Sequence, residues 1–471
     1  MKKIFHRIFS AEAMYGNRES YGEMLSTKSV YSNLMRIAWP SVLEMVLMSM
    51  IGSVDTMMVG VLGPEAIAAV GLVTQPRMLM LTIFLAMNVG VTAVVSRRRG
   101  EDRREDANHT LRNALVILTG LSILVMVFAL SFSRPLLLFA GAAADTIDNA
   151  DIYFRIMMLG LPLNALTMII NAAQRGVGNT KITLISNVAS NLVNVVLNYM
   201  LITGQYGFPR MEVAGNAISS VTGFAVGFLL CLISVTSRRA KAGFLHLSFK
   251  DNWRLKKEIM MPVLSVGSSA MIEQVFMRVG FFAYAKIVAG LGTLPFAAHQ
   301  VAMQFTSISF TIGDGLAVAG TALVGQMLGK KRPDLSFVYG RASQRIALVV
   351  SCCLIFGLLI FRYPLAGLFT SDIEVIRMAA DVLIIVAIFQ PFQTSAAVMA
   401  GCLRGAGDTK FVAFTMMVCV CLIRPILSIV AINVFDLGLM GAWASSLIDM
   451  IFRMSAVYIR FSSNKWSKIK V

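Results

Sequence analysis

Two carboxylates, Glu44 and Asp55, stand within one long apolar run at residues 36–60. Eleven residues separate them, about three helical turns, so a helix there carries both on roughly one face. A second run, at 182–203, contains Asn187, Asn191, Asn194 and Asn198. Their spacing of i, i+4, i+7 and i+11 also defines one helical face. Four amides on one face either hold helices together or line a hydrated cavity. With Asp55 they offer the oxygen ligands that a small hard cation takes, making a Na+ site at Asp55, Asn194 and Asn198 one reading. The same carboxylate can instead be the seat of a proton.

Further along, polar residues again fall on single faces of apolar runs. Gln300, Gln304, Ser307, Thr311 and Asp314 follow i, i+4, i+7, i+11 and i+14, while Ser265, Ser269 and Glu273 follow i, i+4 and i+8. Gln390, Gln393 and Thr394 lie in another run, and Arg424, Asp449 and Arg453 in the last two. A charge at mid-bilayer costs about 3 kcal/mol or more, so each needs a partner or a function. Asn187, Asn191, Gln300, Gln304, Asp314, Gln390 and Gln393 are therefore expected to line a cavity. Asp449 and Arg453, four residues apart, can neutralise each other, and Arg278 is one available partner for Glu273. His299, alone within an apolar run, reads as a packed core residue. GxSxG, HExxH, Walker and Asp-rich diphosphate motifs are all absent. No enzyme constellation or cofactor site is expected, and transport without a Walker sequence would draw on an ion gradient.

The elements that carry these residues follow from composition. The chain has 471 residues, of which 57% are hydrophobic and 14% charged, with a mean hydropathy of +0.73. Soluble proteins carry about 25% charged residues, so this surface cannot be clothed for water. Twelve apolar segments, from 36–60 to 440–459, are each long enough for a membrane helix, and barrel-type alternation is missing. The fold class is all-α, an integral membrane protein of twelve transmembrane helices. With both termini cytoplasmic, 31 of the 42 Lys and Arg fall in loops and tails on that side, against five opposite. That asymmetry orients the chain and accounts for its net charge of +17 without nucleic acid. The six Cys lie within apolar runs and suggest neither a disulfide framework nor a metal site.

An internal repeat organises the whole. Arg175-Gly176-Val177-Gly178-Asn179-Thr180-Lys181 matches Arg404-Gly405-Ala406-Gly407-Asp408-Thr409-Lys410 at an offset of 229, and the same offset pairs Pro135 with Pro364 and Pro162 with Pro391. Six helices per repeat, an even number, means both halves enter the membrane the same way. The expected layout is a cytoplasmic tail (1–33), a six-helix lobe (34–236), a basic cytoplasmic linker (237–258), a second lobe (259–461) and a tail (462–471), the pseudo-symmetric lobes flanking a central cavity.

Together with the repeat, Val54-Asp55-Thr56-Met57-Met58-Val59-Gly60, Ala297-Ala298-His299-Gln300-Val301-Ala302 and Leu197-Asn198-Tyr199 resemble the MATE (multidrug and toxic compound extrusion) transporters, from Pro40 to about Tyr458. The resemblance implies a two-lobed antiporter that exports small cationic or amphipathic organic compounds in exchange for H+ or Na+. Its setting would be the cytoplasmic (inner) membrane, as a single multi-pass chain with only the lipid bilayer as partner. Matched position by position, Asp55 corresponds to the coupling carboxylate of relatives and Asn194 to an amide partner. Asn198 stands where many relatives have a second Asp, and Ser220 where Thr is frequent. Glu273 corresponds to a carboxylate important in one branch, whose further Asp is Gln393 here. A lipid or lipid-linked oligosaccharide flippase of the same superfamily is the rival reading, and a membrane-embedded transferase a more distant one.

Overall fold

The computed structural model describes residues 9–16, 20–60, 62–142, 146–237, 242–248 and 250–469. Parts of the expected N-terminal tail (1–8, 17–19), linker (238–241, 249) and C-terminal tail (470–471) lie outside the described residues. Among the described residues the regular structure is helical throughout. In chain order the helices are α1 (Ala11–Tyr15), α2 (Thr27–Gly60), α3 (Pro64–Gly100), α4 (Arg104–Ser131), α5 (Ser133–Phe139), α6 (Ile147–Leu159), α7 (Leu161–Gly176), α8 (Thr180–Thr203), α9 (Glu212–Thr236), α10 (Lys257–Ala289), α11 (Thr293–Gly329), α12 (Pro333–Gly367), α13 (Ile373–Gly405), α14 (Thr409–Met416), α15 (Arg424–Asn433) and α16 (Gly438–Ser462). A π-helical stretch, Met417–Ile423, joins α14 to α15.

Ten described helical stretches are long and apolar enough to cross a membrane. The pair α6 and α7, bent by 46° at Gly160, makes an eleventh. The remaining expected segment is α16, whose 25 residues span about 37 Å at 1.5 Å per residue, ample for a ~30 Å core. Asp449 and Arg453 lower its hydropathy, and both are buried. Large apolar side chains such as Phe128, Phe282, Phe356 and Ile459 are exposed on the helices. In a bilayer that is their favourable position, because lipid replaces water as the outer solvent.

Chain contacts divide the protein into two compact units, Leu43–Gly267 and Met1–Val42 with Ser268–Val471. The first buries Phe84, Val91, Leu111, Phe154 and Ile169. The second has two clusters, one around Leu34, Phe337, Met399 and Phe461, the other around Tyr284, Phe389 and Trp443. The repeat-related prolines behave differently in the two. Pro162 follows the break at Gly160, whereas Pro391 sits inside the unbroken α13. Proline removes one backbone donor in both places. Only the first half adds a glycine two residues earlier, where the second half has Phe389.

Small residues seat α9 on α8. A Cβ at Gly215 would come 2.8 Å from the Leu201 carbonyl oxygen, and one at Gly223 would come 2.7 Å from that of Ser190. Backbone cannot yield as a flexible side chain can, so this approach requires glycine. Gly215→Ala is expected to destabilise the protein by about 1–3 kcal/mol, seen as a lower thermal midpoint in detergent. Gly120→Ala, where nothing lies within 4 Å, should leave the midpoint unchanged.

Candidate functional site

Within the unit Leu43–Gly267, α2 and α8 are joined by two matching contacts. Asn187 Nδ2 donates to Glu44 Oε1 at 2.6 Å, and Asn198 Nδ2 donates to Asp55 Oδ1 at 2.5 Å. Glu44 and Asp55 are eleven residues apart, as are Asn187 and Asn198, so the helices run parallel in register over about 16 Å. The asparagine face of α8 therefore serves both carboxylates of α2.

At the Asp55 end the side chains form a closed polar network. Asn216 Nδ2, from α9, donates to Asp55 Oδ1 at 2.8 Å and to Asn198 Oδ1 at 3.3 Å. Asn198 Nδ2 also reaches Asn194 Oδ1 at 3.4 Å, and Asn194 Nδ2 donates to Ser220 Oγ at 3.0 Å. Asp55, Asn194, Asn198 and Ser220 are thus brought together. Asn216 is a member that sequence reasoning missed, although it stands one turn before Ser220 on the same face. Asn216 Oδ1 is buried without a hydrogen-bond partner. Arg77 lies within electrostatic reach of Asp55 and hydrogen-bonds Tyr153, a second pair absent from the expectations. One carboxylate, three amides and a hydroxyl supply hard oxygen donors suited to a small cation, and the carboxylate also suits a proton.

At the other end of α2, Glu44 is fully buried. It accepts hydrogen bonds from Arg175 Nη2 at 2.6 Å and Thr183 Oγ1 at 2.7 Å, besides Asn187. This makes it an ion-paired packing carboxylate.

The second unit repeats that pair. Glu273 of α10 accepts from Arg404 Nη2 at 2.5 Å, not from Arg278. Glu273 and Arg404 each lie 229 residues beyond Glu44 and Arg175. The Arg-Gly-x-Gly segments therefore hold the same partner in both halves. The Asp55 position is not repeated. Its equivalent is Tyr284, packed edge-on against His299 (5.5 Å) and Trp443 (6.4 Å). His299 is a buried core residue, and its Nδ1 is buried without a hydrogen bond. Asp449 is shared by Arg424 (2.5 Å) and Arg453 (2.6 Å), so its neutralisation is wider than the intrahelical pair expected.

The expected cavity lining separates into two groups. Gln300, Gln304 and Asp314 are exposed on α11, and Asn187 and Asn191 are half-exposed. Gln390 and Gln393 differ, both being buried within the helix packing of α13. Their place in an apolar run does not say whether another helix covers them. The six cysteines are free, and no cluster of three or more His, Cys, Asp or Glu occurs among the described residues.

Similarity to known proteins extends over most of the chain. The MatE family model matches twice, over residues 40–200 and 269–430. The chain belongs to the MatE family. It is therefore a membrane transport protein of the MATE type rather than an enzyme. The second match begins 229 residues after the first, the offset of the Arg-Gly-x-Gly repeat. A "Probable multidrug resistance protein NorM" of Thermotoga maritima is 28% identical over 93% of this chain and 94% of that protein. A "Multidrug resistance protein MdtK" of Yersinia enterocolitica is 26% identical over 81% of this chain and 84% of its own. A solved structure described as the outward-facing conformation of a multidrug resistance MATE family transporter superimposes with a TM-score of 0.86 at 20% identity, covering 93% of this chain and 97% of that one. Another, MATE in the bent conformation, gives 0.85 at 20% identity over 93% and 96%. These likenesses establish the twelve-helix MATE fold.

The duplicated ion pairs make a stability prediction. Arg175→Met leaves Glu44 as an uncompensated buried charge, costing about 3–5 kcal/mol, whereas breaking and removing both charges together costs much less. The double variant Glu44→Gln with Arg175→Met should therefore be more stable than Arg175→Met alone in thermal unfolding in detergent.

Proposed function

We propose that the protein is a secondary antiporter that exports cationic or amphipathic organic compounds in exchange for H+ or Na+. The observation that carries this reading is the Asp55 network: a half-buried membrane carboxylate held by Asn198 and Asn216, with Asn194 and Ser220 behind them. Multidrug resistance names on relatives matching most of the chain support the cargo class. The exposed polar side chains Gln300, Gln304, Ser307 and Asp314 on α11 include no cation, which favours cationic cargo over a phosphate-bearing lipid. The protein works by alternating access of its two repeat halves, as a single chain in the inner membrane with both termini cytoplasmic.

In this reading Asp55 takes the coupling ion. The Asn amides hold the carboxylate while it is ionised, and their oxygens join it around Na+ when they rotate; a proton would need only the carboxylate. Binding neutralises Asp55 and loosens its hold on Asn198 and Asn216, so α2 repacks against α8 and α9. Ion and cargo then favour different conformations and exchange through differential affinity. Glu273, tied to Arg404, belongs to the coupling machinery by holding α10 against α13.

Dye efflux from proteoliposomes, driven separately by imposed pH and Na+ gradients, tests the proposal. Wild-type protein should respond to at least one gradient. Asp55→Asn should reduce gradient-driven efflux to background while still purifying as a folded protein. Asn216→Ala removes an amide oxygen that can join the carboxylate around Na+, and should weaken the apparent Na+ affinity roughly tenfold or more if Na+ is the driving ion. Undiminished efflux by Asp55→Asn would refute the assignment.

A further inference from the structure

Four carboxylates of the membrane helices show two kinds of partner. Glu44, Glu273 and Asp449 are each ion-paired to arginine, and Asp55 is held by two amides. Asp314 differs from all four. It lies midway along α11, is exposed, and makes no ion pair or hydrogen bond among the described residues. Its charged neighbours are Arg404 and Glu273, which pair with each other at 2.5 Å and so leave little net countercharge.

The helix around Asp314 is tightly seated. A Cβ at Gly315 would come 2.7 Å from the Val42 Cα, and one at Gly313 would come 3.3 Å from the Ala397 Cβ. Both glycines let neighbouring helices close on either side, so the backbone carrying Asp314 is fixed. Gln300, Gln304 and Ser307 continue the exposed polar stripe on the same helix. Such a stripe in a membrane helix has to meet water or a ligand, because acyl chains cannot satisfy it. Phe310, one turn before Asp314, is half-exposed and meets Phe281 edge-on at 6.4 Å.

We infer that Asp314 is the residue that receives the positive charge of the organic cargo, at a subsite separate from the ion site at Asp55. An inorganic cation needs several oxygen ligands, as Asp55 has and Asp314 has not. An organic cation needs one countercharge beside apolar and aromatic surface, which Asp314 and Phe310 provide. Cargo and coupling ion then occupy different carboxylates on different halves of the repeat, and they exchange through conformation rather than by contesting one group. This inference rests on the antiporter reading.

The test uses purified full-length protein and tetraphenylphosphonium as the probe, with binding read by equilibrium dialysis. Asp314→Asn has no contact to lose, so it should fold with an unchanged thermal midpoint. Its affinity for the probe should fall roughly tenfold or more, the scale of one charge-assisted contact. Asp314→Glu should restore most of it. Cation binding measured without probe should stay unchanged in Asp314→Asn. Equal probe affinity in wild type and Asp314→Asn overturns the assignment and leaves the antiporter reading standing. Wild-type protein that binds no probe at all overturns the antiporter reading and this inference with it.

Discussion

A bare charge is poorly tolerated between helices in a hydrocarbon solvent, and this protein answers that constraint at its buried carboxylates. Glu44 and Glu273 meet arginines at 2.6 and 2.5 Å. Asp449 meets two. Asp55 has amide donors instead, which leave its negative charge in place. A carboxylate neutralised by arginine has little reason to take a proton or a metal cation. One hydrogen-bonded by amides, with no arginine bonded to it, retains that capacity, and the same amides can turn an oxygen toward an incoming ion. In the proposed function, the coupling ion binds at a carboxylate that amides hold and no arginine ion-pairs.

The repeat makes the contrast plain. Both halves keep the glutamate–arginine pair at the offset of 229, and both need it for one reason: it ties the first helix of the half to the Arg-Gly-x-Gly segment at the end of the fourth. At the Asp55 position the halves diverge. The second half substitutes Tyr284 and fills the surroundings with the rings of His299 and Trp443. Ring packing replaces the hydrogen-bond network there, so the duplication keeps the glutamate–arginine fastening but not the Asp55 network. The tight Gly215–Leu201 and Gly223–Ser190 approaches draw Asn216 and Ser220 to the network, so local helix packing and the chemistry of the site are the same fact seen twice.

Much of this was legible in the sequence because helical periodicity is a strong signal for polar residues in apolar runs. The asparagine face of α8, the α11 stripe and the grouping of Asp55 with Asn194, Asn198 and Ser220 all came from spacing or from the family resemblance it supported. Long-range partners were less accessible. Arg175 lies 131 residues from Glu44, and Arg404 lies 131 from Glu273, so no local window contains either pair. Asn216 was overlooked because the reading rested on α8, while the network is closed by α9. Gln390 and Gln393 are buried, which their position in an apolar run does not reveal. The bend at Gly160 and the low hydropathy of α16 show the same limit: composition locates a span, but tertiary contacts decide its shape and what it can bury.

The central claim is that one cation equivalent binds at Asp55 and its amides, independent of any cargo. Calorimetric titration of the purified protein with Na+ at fixed pH, paired with proton-uptake measurements in Na+-free buffer, tests this without requiring transport. The account predicts one saturable cation equivalent in the wild type, lost when Asp55 is replaced by Asn. The same equivalent surviving that replacement at full affinity would contradict it.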